Sequence, residues 1–233
     1  MLKRLKNVFT QEKSTHQPEQ VDGIAVSKGA AEMTASDWIA AHALFFKAAA
    51  GGLAFSLGGM VGGKPWKVDR AAKPRNYIAG QELRGRVNID ANPQITVLIM
   101  NRALKELLEN RAYALYTDSI ETEASPALME EMRWLASYPE VGWQEPPDSF
   151  WARYAVMSDR RSNAIKWLTP DLIELLMAWP QPAPSADVPL MMMLMRGKMH
   201  MRMQWGQADE HLMAHAVKLL LDASQRAAAA FPR

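Results

Sequence analysis

Met191-Met192-Met193-Leu194-Met195-Arg196-Gly197-Lys198-Met199-His200-Met201-Arg202-Met203-Gln204-Trp205 reads as a β-hairpin. Arg196-Gly197-Lys198 forms a three-residue connection with glycine at its centre, between two alternating runs. In the second arm Met199, Met201, Met203 and Trp205 share one face, and Lys198, His200, Arg202 and Gln204 share the other. Period-two alternation of this kind marks a half-buried strand, with the apolar set turned inward.

The same pattern recurs from Glu82 to Ile89. Leu83, Gly85, Val87 and Ile89 face one way, and Glu82, Arg84, Arg86 and Asn88 the other. Asn92-Pro93 closes that strand with a turn, and the β-branched run from Ile95 to Met100 reads as a more buried strand. Upstream, residues Leu53 to Asp69 read as two strands around a Gly-rich bend interrupted at Lys64-Pro65. Phe150 to Met157 reads as a further strand behind the linker-like Pro146-Pro147-Asp148.

Helices fill the intervals. One starts at Ser36 or Asp37 and runs through Phe46 to the Gly51-Gly52 pair. A second lies around Arg102 to Arg111, with Leu104, Leu107 and Leu108 on one stripe. A third opens at Ser125-Pro126, with Leu128, Met132 and Leu135 on its apolar side. Asn163 to Leu168, the segment from Thr169-Pro170 to Pro180, and Asp209 to Ala229 complete the set. Strands and helices are not evenly interleaved and one hairpin is explicit. The expected class is therefore α+β: a mainly antiparallel sheet with helices packed on it, in a single main domain. That domain spans residues 35–233, after a flexible basic and polar tail over residues 1–34.

Composition narrows the chemistry. The 233 residues are 48% hydrophobic and 22% charged, enough to bury a sizeable core. The chain has no cysteine, which excludes disulfides, thiolate metal sites and a Cys nucleophile. With 27 basic and 25 acidic residues the formal charge is +2, too even to announce a nucleic-acid binder. No apolar core follows Lys3, Arg4 and Lys6, so no cleaved secretion signal is expected. Those three cations instead suit weak contact with an anionic membrane surface. Trp38 to Gly63 is long and apolar enough to raise a membrane span, but Lys47 near its middle costs about 2.5–3.5 kcal/mol on insertion. The expected location is cytoplasmic, peripheral at an inner membrane face.

Several side-chain groups are candidates for function. His211 and His215 stand at i, i+4 on the last helix, the spacing of a metal pair, yet Leu212 occupies the place where HExxH carries its glutamate. Lys218 and Asp222 continue that face, which reads as solvated. Met199, Met201, Met203 and Trp205 are expected core, with a Met-lined partner groove as the alternative. Arg84 and Arg86 share a polar strand face that suits an anion or an acidic partner, and Arg153 and Arg202 join it if their strands are neighbours. The alternative is an ordinary charged face, balanced by carboxylates of a covering helix. Gly58 to Pro65 lacks the GxxxxGK[ST] pattern, because Pro65 follows Lys64.

Every strong catalytic motif is missing or broken, and no cofactor is implied. The leading expectation is a non-enzymatic accessory or regulatory protein that binds another protein and modulates or inhibits a larger machine at the inner face of a bacterial membrane. Its expected features are the Met-rich hairpin, an exposed aromatic stretch from Trp143 to Trp151, and the basic tail. The alternatives are a metal-dependent enzyme using His211 and His215, and a nucleic-acid or anion binder using the Arg84/Arg86 face.

Overall fold

The computed structural model describes residues 45–48, 55–71, 75–118, 129–206 and 210–233. Its centre is one antiparallel sheet of eight strands. In chain order these are β1 (Phe45–Ala48), β2 (Phe55–Val61), β3 (Lys64–Ala71), β4 (Gln81–Asn88), β5 (Val97–Asn101), β6 (Tyr154–Ser158), β7 (Leu190–Met195) and β8 (Lys198–Trp205). Across the sheet they run β1-β2-β3-β4-β8-β7-β5-β6. The described helices are α1 (Arg102–Asp118), α2 (Glu130–Ser137), α3 (Asp148–Arg153), α4 (Arg161–Trp167), α5 (Pro170–Met177) and α6 (Glu210–Ala230). The expected α+β class, mainly antiparallel with helices packed on the sheet, is what the chain adopts.

The order of strands follows from the hairpin. β7 and β8 insert between β4 and β5, which are consecutive in sequence. Residues 89–96 must therefore cross about 14 Å, three interstrand spacings, at the turn end of the hairpin. They do so against its tip, where the Ile89 amide donates to the Gly197 carbonyl at 3.3 Å. The tip is tighter than the sequence suggests. Met195 pairs with Lys198, so the connection is the two residues Arg196 and Gly197, and Lys198 already belongs to β8. Both turn residues have positive φ, 52° and 70°, the mirror-image turn that matches strand twist.

The sheet has two unequal faces. On one face Leu57, Val68, Leu83, Val87, Ile99, Met192 and the inward residues of β8 pack against α4, α5 and α6. Gly85 of β4 leaves room for Leu220 of α6, whose Cδ2 would lie 2.6 Å from any Cβ added there. Trp167 of α4 donates its indole N–H to the Ala223 carbonyl of α6 at 2.9 Å, tying these two helices together. On the opposite face, among the described residues, only β5, β6 and β7 are roofed by apolar contact. Leu98, Met100, Met157, Met191 and Met193 pack there with Leu104 and Leu108 of α1 and with Met132 and Trp134 of α2. β5, β6 and β7 are thus buried on both sides, which is why they read as continuous apolar runs and β4 and β8 alternate.

Several expectations are corrected. Phe45 and Phe46 belong to β1, paired with Leu57 and Gly58, and not to a helix; the helix start at Ser36 or Asp37 lies outside the described residues. The turn between β2 and β3 falls at Gly62-Gly63, and Lys64-Pro65 is already strand. Asp148–Arg153 is helical, so the strand begins only at Tyr154. Trp143 is 8% exposed and meets Trp151 edge-on at 5.1 Å, so this aromatic pair is packed inward. Among the described residues no helix is long and apolar enough to cross a membrane. Lys3, Arg4, Lys6 and the whole tail over residues 1–34 lie outside the described residues.

Candidate functional site

Among the described residues, the roof over the sheet ends at the polar face of β4. β4 pairs with β8 so that Arg84 faces Arg202, Arg86 faces His200 and Asn88 faces Lys198. On the other side β3 sets Asp69 opposite Arg84 and Lys67 opposite Arg86. Lys67, Arg86 and His200 thus form one cross-strand row of basic groups, and Arg84 and Arg202 form the next. Like charges placed directly opposite each other destabilise a sheet by up to about 1 kcal/mol per pair. Arg84, Arg86 and Lys198 are exposed and make no ion pair with a described residue. Lys67 has Asp69 at 2.7 Å.

Arg202 is different, because α2 reaches it. Glu131 is 3% exposed and its carboxylate takes three donors: Arg202, the Arg75 Nε at 2.6 Å and the Tyr77 hydroxyl at 3.1 Å. Arg75 also donates to Glu82, which is 1% exposed although its place in β4 puts it in the polar series. Burial and the neighbouring Glu131 carboxylate push the Tyr77 hydroxyl well above its ordinary range. The Arg202 guanidinium lies over the Trp134 ring at 5.4 Å, and Glu130 stands 4.0 Å from it. The balancing carboxylates expected over this face are therefore real, but they serve Arg202 and leave Arg84 and Arg86 uncovered among the described residues.

Between α2 and the hairpin runs a groove of about 270 Å³, lined by Trp134, Met193, Met195, Arg196, Lys198 and His200 among others. A second hollow of about 470 Å³ shares Glu130, Trp134, Met195 and Arg196 with it and continues to Pro93 and Thr96 of the β4–β5 connection. Burial, then Arg202, Arg86 and Lys198, lower the His200 pKa to about 4. The imidazole is therefore neutral near pH 7, and an anion bound beside it would raise its pKa.

The other sequence candidates separate from this surface. Met199, Met201, Met203 and Trp205 are between 0% and 1% exposed on the helix-covered face, so they are core and present nothing to a partner. Arg153 lies in α3, donates to the Pro184 carbonyl at 2.8 Å and does not join the Arg84 row. His211 and His215 do share a helix face, but His215 is turned inward. Its Nε2 lies 3.1 Å from the Leu175 carbonyl and its ring packs on Trp179 with centroids 4.6 Å apart. That carbonyl makes Nε2 the protonated nitrogen. Among the described residues no group of three or more histidines and carboxylates stands together as a metal site would need.

Burial lowers the His215 pKa from the ordinary 6.5 to about 4, outweighing the Leu175 carbonyl, with Lys218 adding to the depression. The unfolded chain therefore takes up this proton first as pH falls. The stability that neutral His215 contributes is full above pH 6.5 and drains away through pH 4. Titration of the ring protons by NMR should give a midpoint near 4, with unfolding becoming easier across the same window; a midpoint above 6 would show an imidazole open to water.

Sequence reasoning missed Glu131, Arg75 and Arg196 as parts of this surface. Glu131 carries no local signal, because its role depends on α2 lying against β8. Arg196 was legible only as a turn residue. Comparison of the chain with family models, with curated proteins and with solved structures finds no match.

Proposed function

We propose that the protein is a non-enzymatic binding module that docks an acidic protein partner on the open basic half of its sheet, as an accessory or regulatory subunit of a larger assembly. The observation that carries this reading is the Lys67–Arg86 pair in register, with Arg84 and Lys198 exposed beside it and the neutral His200 next in the row. A surface that sets like charges in register and leaves them exposed is relieved when an anionic surface covers it. Across such a surface, charge complementarity gives association rate and selectivity.

An acidic protein suits the face better than a nucleic acid. Single-stranded nucleic acid is held by aromatic platforms interleaved with cations. Across β2, β3, β4 and β8 the open face carries Ser56, Gly58, Met60, Lys67, Asp69, Arg84, Arg86, Lys198 and His200, with no Phe, Tyr or Trp interleaved among these described residues; Phe45, opposite Gly58 in β1, and Trp134, over Arg202, stand at its two margins. The basic tail lies outside the described residues and takes no part in this reading.

The test is parallel affinity capture from the native host with the tagged wild-type chain and an Arg84→Glu/Arg86→Glu variant, followed by measurement of affinity for the captured partner. The expected result is a stoichiometric acidic protein whose affinity falls about tenfold or more in the variant, with a flatter salt dependence. Equal retention by both chains would sink the reading. Capture of nucleic acid, with affinity falling steeply in salt, would replace the acidic protein with the other class of partner.

A further inference from the structure

We infer that the groove between α2 and the hairpin tip is the selective part of this surface: a seat for an extended acidic segment of the partner that also carries apolar side chains. The inference rests on the proposed docking of an acidic protein at the basic face, and it names where the partner is read.

The groove has the two kinds of wall such a segment needs. Its floor is Met195 and Trp134, 8% and 9% exposed at the edge of the α2-covered core, with the buried Met193 beside them in the lining. Thioethers adapt their shape to what lies on them, which suits an apolar side chain of variable form. Arg196 and Lys198 line the groove and Arg133 lines the second hollow; none of the three has an ion pair with a described residue. Against these cations the lining offers one carboxylate, Glu130, which faces Arg202. The second hollow shares Glu130, Trp134, Met195 and Arg196 with the groove and reaches Pro93 and Thr96, so an occupant of both would be an extended segment and not a compact ion.

Arg196 supplies an independent argument. It occupies the first central position of a mirror-image turn, at φ 52°, where Asn, Asp or Gly is the favoured residue. Arginine there is a poor choice for folding. Arg196 is exposed and lines both hollows, so the turn places a cation beside each of them. Non-glycine residues held in sparsely populated backbone regions collect at functional sites, where the surrounding structure sustains them. A guanidinium takes a carboxylate in two parallel hydrogen bonds, and Lys198 adds a second cation beside it.

The experiment uses the full chain and a short fluorescein-labelled peptide of alternating Glu and Leu, with a Ser/Leu peptide and a single-stranded oligonucleotide as comparators, read by anisotropy at low salt. The Glu/Leu peptide should bind and the Ser/Leu peptide should not. Lys198→Glu should weaken binding about tenfold. Arg196→Asn should weaken it severalfold and at the same time raise the melting temperature by about 2 °C, because Asn-Gly is the preferred turn pair. That opposite movement of stability and affinity is what a merely structural arginine would not produce. Unchanged peptide affinity in both variants overturns the inference. If Arg84→Glu/Arg86→Glu abolishes peptide binding when Lys198→Glu does not, the segment lies on the open strands: the groove assignment falls and the broader reading stands. No peptide binding at low salt also overturns the groove, with the broader reading judged by the capture experiment. Tighter binding of the oligonucleotide than of the peptide overturns both.

Discussion

Glu131→Ala should lower the free energy of unfolding by about 3–5 kcal/mol, the cost of leaving buried charges without their partner. The Glu131 side chain is 4% exposed and the Arg202 side chain 14% exposed, so water cannot replace the lost carboxylate. Three donors lose their acceptor together: Arg202, Arg75 and the Tyr77 hydroxyl. Arg75 retains Glu82 and Arg202 retains the more distant Glu130 at 4.0 Å, which leaves Tyr77 and the close contact of Arg202 the main casualties. The consequence reaches the groove, because Glu131 holds α2 against β8 and α2 is one wall of it. Urea denaturation should show a reduced midpoint, and Glu131→Leu combined with Arg202→Met should recover a large part of the loss by replacing the ion pair with apolar contact. A loss below about 1 kcal/mol would mean that the network behaves as a surface salt bridge.

Gly197→Ala is expected to cost about 2–4 kcal/mol, from a strained backbone and a collision combined. Gly197 has φ 70°, and a Cβ there would lie 2.7 Å from the Ala91 carbonyl oxygen. That oxygen belongs to the segment crossing the hairpin tip, so relief requires moving the connection between β4 and β5. Gly63 provides the control. It has φ 72° but nothing within 4 Å of an added Cβ, so Gly63→Ala should show the conformational cost alone, about 1 kcal/mol. Equal losses for the two variants would show that the crossing segment gives way freely.

What could be read from the chain divides along a physical line. β4 and β8 were legible because each has one wet face, and alternation records that directly. α6 was legible because its apolar stripe is long. β1 was not, because a short run of Phe, Lys and Ala fits either period, and its strand state comes from pairing with β2. The α3–β6 boundary was lost because Asp148–Arg153 and the doubly buried Tyr154–Ser158 are both rich in apolar residues, and only Pro147 before Asp148 marks a helix start. The Arg84/Arg86 face stood in the alternation of one strand. That Arg202 and His200 lie opposite it required the register of β4 with β8, which joins residues more than a hundred positions apart. Glu131 could not be assigned at all, since no local pattern says which helix covers which half of a sheet.

The place of the hairpin also governs how the chain comes together as it is made. β4 and β5 emerge one after the other, yet neither can pair with the other, because the strands that lie between them are encoded by residues 190–205. Until those residues emerge from the ribosome, β4 presents an open edge beside Leu83 and Val87, and β5 presents another beside Val97 and Ile99. Unpaired edges of this kind template association between chains. The late arrival of the central hairpin makes the nascent protein most vulnerable to aggregation when the outer strands are already complete, and the charges of Arg84 and Arg86 on the waiting strand are the kind that disfavour pairing with a neighbouring chain.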